Sequence, residues 1–341
     1  MVDHRVVVIG ASAGGVEALI DLVPRLPGDF AAPICVVLHI PAESPNLLAA
    51  ILDRRSQLSV IHAGDGMELR NGVMYVAQPD HHLIIDGRTL RLPRGPRENR
   101  HRPAVDPLFR SAALSYGSGA IGVILSGSLD DGTAGLLAIK RVGGMAIVQS
   151  PRDAMYTGMP QSAVENVEKI DFVVPLAEVA AALEQCLNMP RLAPVPTTDL
   201  ELMKMEKRIS EMDEGAMESD ERPGDPSAFS CPDCGGVLWE IADGQYIRFR
   251  CRVGHAFSPE TMLGAQADTL EEALWSALKT LEESATLAKR LANTERGRGH
   301  KWMMKRFEEK ESEARDRAET IRKVLTRMNG TVPSETITSA P

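Results

Sequence analysis

The chain has 341 residues, of which 43% are apolar and 4% aromatic, and its 38 basic against 47 acidic side chains leave a formal net charge of −9. That length accommodates more than one domain, the charge weighs against a general nucleic-acid binder, and no apolar run is long enough to span a bilayer. Five cysteines do not make a disulfide framework in a chain of this size. The first residues lead into a strand rather than a signal peptide, so a cytoplasmic location is expected.

Arg5 to Ile9, four of its five residues apolar, passes into Gly10-Ala11-Ser12-Ala13-Gly14-Gly15, which predicts a buried parallel strand turning tightly into a helix from about Gly15. Ser12 is left on the turn, beside N–H groups that the helix start cannot satisfy internally. Gly10-x-Ser12-x-Gly14 fits the elbow that exposes the nucleophile of serine hydrolases. It also fits a dinucleotide fingerprint whose middle glycine has become serine, or a plain glycine turn with Ser12 as a cap. The turn alone leaves the three open.

Ile34 to Leu38 reads as a second buried strand with His39 at its carboxyl end. In an open parallel sheet those ends line the ligand crevice, so His39 can face Ser12. Ser44 and Pro45 predict the cap and first position of a helix through Leu52. Val73 to Ala77 is strand-like, and Leu83 to Ile85 with Thr89 to Leu92 forms a hairpin candidate through Asp86-Gly87. His81 and His82 precede it. Neighbours on a strand point to opposite faces, which disfavours a shared metal and predicts polar packing at the crevice mouth. Arg88, Arg91, Arg94, Arg97, Arg100 and Arg102 face a single acid, Glu98, in a loop that Pro93, Gly95 and Pro96 keep from being helical. Such a basic rim would steer an acidic partner.

Ala120 to Leu125 is a third apolar strand, followed by small residues, by Asp130 and Asp131, and by a helix near Gly132. Nucleophile, base and orienting carboxylate can thus come from three strand-end loops. Further strands at Met145 to Gln149 and Phe172 to Val174, with helices at Pro160 to Val167 and Leu176 to Leu187, complete an α/β pattern. The expected fold is a doubly wound, mostly parallel sheet over residues 1–190.

Six stretches in order, Gly10 to Gly15, Val36 to Pro41, Val76 to His82, Arg102 to Ser111, Ile124 to Gly132 and Gly158 to Pro160, resemble the catalytic domain of the bacterial chemotaxis-receptor glutamate methylesterases. The resemblance implies hydrolysis of glutamyl methyl esters on receptor helices, and in some members glutamine deamidation. It implies Ser12 as nucleophile, His39 as base and Asp131 as orienting carboxylate, with no cofactor in catalysis. Backbone N–H groups near Ala13 and Ser128 would receive the oxyanion. The chain departs from the family at Ala13, where a hydroxyl residue is usual, and at Ser128, where methionine is common. The family's archetype carries an amino-terminal receiver domain. The match here starts near residue 4, so that control is expected to be missing.

Residues 191–228 read as an acidic flexible linker with a short helix at Leu200 to Met212. Its acids from Glu211 to Asp225 could pair with Arg91, Arg94, Arg97 or Arg100. Residues 229–257 hold Cys231-x2-Cys234 and Cys251-x3-His255 around a hairpin through Asp243-Gly244, the spacing of a small zinc ribbon with four protein ligands and a structural ion. Its few basic residues favour protein over nucleic acid as a contact. Residues 258–329 predict a helical hairpin or coiled coil with Leu270, Leu274, Leu278, Leu281, Leu287 and Leu291 near one face, pairing internally or with a second copy in a homo-oligomer. A disordered tail is expected over 330–341. A second class of function stays open beside the esterase: a non-enzymatic signalling adaptor that binds a regulatory protein partner through the zinc and helical modules.

Overall fold

The computed structural model describes residues 4–191, 200–218 and 222–329. The tail expected over 330–341 and part of the expected linker lie outside them. The chain forms two compact units, Met1–Leu263 and Gly264–Pro341.

The first unit is built on seven parallel strands, β1 Val6–Ala11, β2 Ile34–Leu38, β3 Ser59–His62, β4 Val73–Val76, β7 Ala120–Ile124, β8 Met145–Gln149 and β9 Phe172–Val174, in the order β3-β4-β2-β1-β7-β8-β9. Every residue of β1 is buried, as a central parallel strand covered on both faces requires. Its side chains alternate between two cores. Val7, Ile9 and Ala11 join Leu19 and Leu22 of α1 Gly15–Leu22, Leu52 of α2 Leu48–Asp53 and Leu183 of α6 Leu176–Asn188. Val6 and Val8 join Phe109 of α3 Val105–Tyr116, Leu136 of α4 Thr133–Arg141 and Met159 of α5 Gly158–Asn166. The hairpin β5 Ile84–Asp86 and β6 Thr89–Arg91 stands apart as its own antiparallel pair. Helix α2 starts later than Ser44-Pro45 suggests, with Leu47 at its cap position and no side-chain cap bond.

The chain departs from a simple tether after residue 200. Helix α7 Leu200–Ser210 buries Met203, Glu206, Ile209 and Ser210, and α8 Glu214–Glu218 leads to a four-stranded antiparallel sheet, β10 Asp225–Ser230, β11 Val237–Asp243, β12 Tyr246–Cys251 and β13 Ala256–Phe257. An acid as deep as Glu206 is tolerated because cations surround it. Arg248 and Arg250 lie 2.7 and 2.9 Å from its carboxylate and Arg110 3.8 Å. Glu98, equally buried, pairs with Arg110 at 2.9 Å and Arg250 at 3.0 Å. The contact with the catalytic layer therefore runs through this inner network. Arg91 and Arg94 of the basic loop pair instead with Asp65 and Asp80.

From Gly264 on, helix α9 Pro259–Gly297 and helix α10 Lys301–Asn329 form the second unit's hairpin. Its seam is Leu278, Ala318 and Leu325, with Leu274, Leu281 and Ile321 beside them. Leu270 and Leu287 are more than half exposed. Buried Ala285, Ala288, Ala292, Ala314 and Ala318 replace them in the contact, since small residues let helices approach closely. Among the described residues no helix is long and apolar enough to cross a membrane.

Candidate active site

Strand order reverses direction at β1: the chain steps from β1 to β2 on one side and returns to β7 on the other. Ser12, His39 and Asp131 follow the carboxyl ends of these three adjacent strands, where an open parallel sheet leaves its crevice. The ladder continues just past the strand ends, with Ser12 N–H donating to Ser126 O at 3.0 Å and His39 N–H to Ala11 O at 3.1 Å. Gly14 precedes α1 at φ 70°, and a Cβ there would stand 2.7 Å from Ser126 Oγ, so the turn needs glycine on two counts. Ser126 Oγ in turn donates to Ala13 O at 2.8 Å and accepts from Tyr156 N–H at 2.9 Å, which ties the serine turn to the loop before α5.

His39 Nε2 donates to Asp131 Oδ2 at 2.7 Å, and the two side chains are 4% and 2% exposed. That bond assigns the proton to Nε2 and leaves Nδ1 with its lone pair. Nδ1 is buried and has no hydrogen-bond partner among the described residues. Ser12 and His39 share the wall of one open cavity of about 400 Å³ with Glu43, Arg97, Arg100 and His101. The Ser12 hydroxyl makes no hydrogen bond to the His39 ring.

Asp131 is held from several sides. Its carboxylate accepts from Val105 N–H at 2.7 Å, Asp106 N–H at 3.2 Å and Asn99 Nδ2 at 2.9 Å besides His39. Burial alone would raise its pKa, but the hydrogen bond from His39 and these other donors hold it well below the usual carboxylate range. Asp106 is driven the other way, by burial and by the charge of Asp131, so the pair's negative charge stays on Asp131. The two adjacent acids have separate duties. Asp130 accepts from Ser258 Oγ at 2.5 Å and Tyr246 Oη at 2.9 Å, and burial pushes it up to about 6.

Two neighbours were not singled out from the sequence. The His101 ring stacks on His39 at 3.7 Å and 9° between planes. Burial, then the proximity of His39, lowers its pKa to about 3, so the stacked ring is neutral. Asn99, 4% exposed, donates to both Asp131 and Asp106. Both residues sit among the arginines of the basic loop, where charge masked them. His82 is fully buried rather than at the crevice mouth, bonded through Nε2 to Pro96 O and through Nδ1 to Ala104 N–H, and His81 bonds locally to Pro79 O.

In the small sheet, Cys231, Cys234, Cys251 and His255 bring four ligand atoms within 4.8 Å of one another, a cluster able to coordinate a metal ion. Turn bonds from Gly235 N–H to Cys231 O and from Gly254 N–H to Cys251 O shape the two knuckles.

Residues 7–183 match the family of CheB methylesterases. A Leptospira interrogans protein provisionally named a protein-glutamate methylesterase/protein-glutamine glutaminase is 39% identical over 179 residues, covering 52% of this chain and 92% of its own length. A Myxococcus xanthus protein, protein-glutamate methylesterase/protein-glutamine glutaminase 5, is 42% identical over 163 residues, 47% of each chain. The crystal structure of the Thermotoga maritima CheB methylesterase catalytic domain aligns with a TM-score of 0.50 at 37% identity, covering 53% of this chain and 98% of that one.

Proposed function

The chain belongs to the CheB methylesterase family of hydrolases, and we propose that it is a cytoplasmic serine esterase removing methyl groups from glutamyl methyl esters on chemoreceptor or related signalling helices. The relatives' names add glutamine deamidation as a second reaction. The observation that carries the reading is the polarised histidine: Nε2 is committed to an ionised Asp131, Nδ1 is buried with no hydrogen-bond partner among the described residues, and the His39 ring lines one cavity with Ser12.

In this mechanism Nδ1 of His39 takes the Ser12 proton as Oγ bonds to the ester carbonyl carbon. Collapse of the tetrahedral species breaks the bond to the methoxy oxygen, which leaves as methanol with the proton from His39. Water then gives a proton to His39 and its oxygen to the acyl carbon, releasing the glutamate and restoring Ser12. Asp131 keeps the ring in one tautomer and stabilises the imidazolium. Among the described residues neither the Ala13 nor the Ser128 amide has an acceptor within the chain, which suits both for the oxyanion. Arg97 and Arg100 on the cavity wall favour an acidic receptor surface.

For the cluster, zinc in a structural role is the best fit. A tetrahedral zinc with bonds of about 2.3 Å to sulfur and about 2.0 Å to nitrogen has S···S edges near ~3.8 Å and S···N edges near ~3.5 Å. The corresponding separations are 3.7 Å between Cys234 and Cys251, and 3.7 and 3.6 Å from Cys231 and Cys251 to His255 Nδ1. Four protein ligands leave no open position for substrate. Methanol release from methylated receptor fragments tests the whole reading: wild type should release it and Ser12→Ala should not, and undiminished release by Ser12→Ala would overturn the assignment.

A further inference from the structure

The loop from Arg97 to His101 carries both unforeseen neighbours of the catalytic histidine and acid, and it holds Asn99 and Arg100 at φ 51° and 72°. Such left-handed conformations cost energy in non-glycine residues and persist only where the surroundings impose them. Here the strand segment after the metal ligand His255 does so. Glu98 bridges to Ala256 in parallel register, Asn99 N–H donates to Ala256 O at 2.8 Å, and Ala256 N–H donates to Arg97 O at 3.2 Å. Ser258 N–H donates to Asn99 Oδ1 at 3.0 Å, with Thr261 Oγ1 adding a longer bond at 3.3 Å.

The Ser258 bond has a directional consequence. A backbone N–H can only donate, so it fixes the oxygen of the Asn99 amide on the side of the small sheet and turns Nδ2 toward Asp131 and Asp106. Without it the amide could rotate and present its oxygen to the Asp131 carboxylate. His255 is next to Ala256 in sequence and accepts from Cys251 N–H at 3.0 Å. The knuckle that would hold the ion therefore leads directly into the residues that hold Asn99.

Resting on the esterase reading above, we infer that the Cys231, Cys234, Cys251 and His255 centre is a clamp on the active-site loop, with Asn99 as the positioning residue through which metal occupancy sets turnover. Arg250 of the inner network donates to Gly254 O at 2.8 Å and Ser258 Oγ to Asp130 at 2.5 Å, so the segment is held on either side of His255 and the ligand itself is the point at which a metal would tighten it. A sheet this small draws much of its folding energy from ligation. Displacing a catalytic support by about 1 Å can cost about 100-fold in rate, and the loss falls on kcat because Asn99 does not line the cavity.

The test uses the full chain, zinc-loaded and after chelation, with Cys234→Ser as ligand loss and Cys234→His as a ligand-conserving control. Methanol release gives kcat and KM, while hydrogen exchange reads the Asn99 and Ser258 amides against those of β1 and β2. The clamp predicts that chelation and Cys234→Ser unprotect Asn99 and Ser258, leave β1 and β2 protected, and lower kcat about 100-fold at similar KM, with zinc and Cys234→His restoring both. Unchanged loop protection and kcat in the zinc-free protein would overturn it. Should β1 and β2 also lose protection, zinc-loaded Asn99→Ala decides: a similar fall in kcat at unchanged KM supports the clamp, and wild-type turnover refutes it. Failure of the esterase reading is distinct, because it would show as full activity in Ser12→Ala.

Discussion

Replacing Glu206 by glutamine keeps the shape of the side chain and removes one charge from the inner network. Its carboxylate lies 2.7 Å from Arg248, 2.9 Å from Arg250 and 3.8 Å from Arg110, and is 1% exposed. Burial alone would raise its pKa, yet the three guanidiniums depress it strongly. The variant leaves Arg110, Arg248 and Arg250 with Glu98 and with an Asp243 that Arg141 also claims, and so removes one negative charge from an interior already rich in guanidinium. Removing one partner of a buried ion pair costs about 3 to 5 kcal/mol, and the glutamine carbonyl still accepts one bond, which places the variant near ~3 kcal/mol. At roughly 2 to 4 °C per kcal/mol for a unit of this size, the transition should fall by about 6 to 12 °C. Scanning calorimetry measures the shift, and hydrogen exchange should show β12 opening before β1. A transition within about 1 °C of wild type would refute the claim that this network joins α7 and the small sheet to the catalytic layer.

Acidification should act through the same groups. Glu206, Glu98 and Asp131 all have depressed folded pKa values, so their stabilisation is complete above the unfolded carboxylate range near ~4 and is lost as pH falls through the folded values. Urea unfolding should therefore show a steep loss of stability below about pH 4, and a flat profile there would contradict the ionised pairs. Asp130 runs in the opposite sense: raised to about 6, it removes stability as pH climbs toward that value, and Asp130→Asn should abolish this decline in the same measurement. His101→Ala should lower kcat about tenfold by freeing the His39 ring, whereas His101→Phe should keep most of the stacking energy of about 0.5 to 1.5 kcal/mol; equal kinetics for the two would show that stacking is immaterial. Gly14→Ala should lower both stability and kcat, since its Cβ would press on Ser126 Oγ, and wild-type values for both would remove the steric argument.

The parallel sheet was legible because buried strands read as unbroken apolar runs, and Ile34 to Leu38 and Ala120 to Ile124 lie where those runs fall. The residue types at the strand ends were legible for the same reason, since topology brings carboxyl ends together. Asn99 and His101 were not, because their importance comes from left-handed backbone that only a strand more than 150 residues later imposes, through Ala256 and Ser258. The residues alone did not separate Asp130 from Asp131, and only the family resemblance pointed to Asp131: adjacent acids look alike until Tyr246 and Ser258 claim one and His39 the other. A short helix was expected at Leu200 to Met212 and α7 Leu200–Ser210 lies there, but its burial of Glu206 among arginines was not legible, because the partners come from distant parts of the chain. The helical stripe was read from leucines, while alanines make much of the seam.

The central claim is that Ser12 and His39 act as one unit, and it is tested most directly by methanol-release kinetics of Ser12→Ala, His39→Ala and the double variant on one methylated receptor fragment. Each single change should lower kcat by about 10⁴- to 10⁶-fold, and the double variant should be no slower than the worse single. Multiplying losses, or substantial turnover in either single variant, would contradict a shared nucleophile and base.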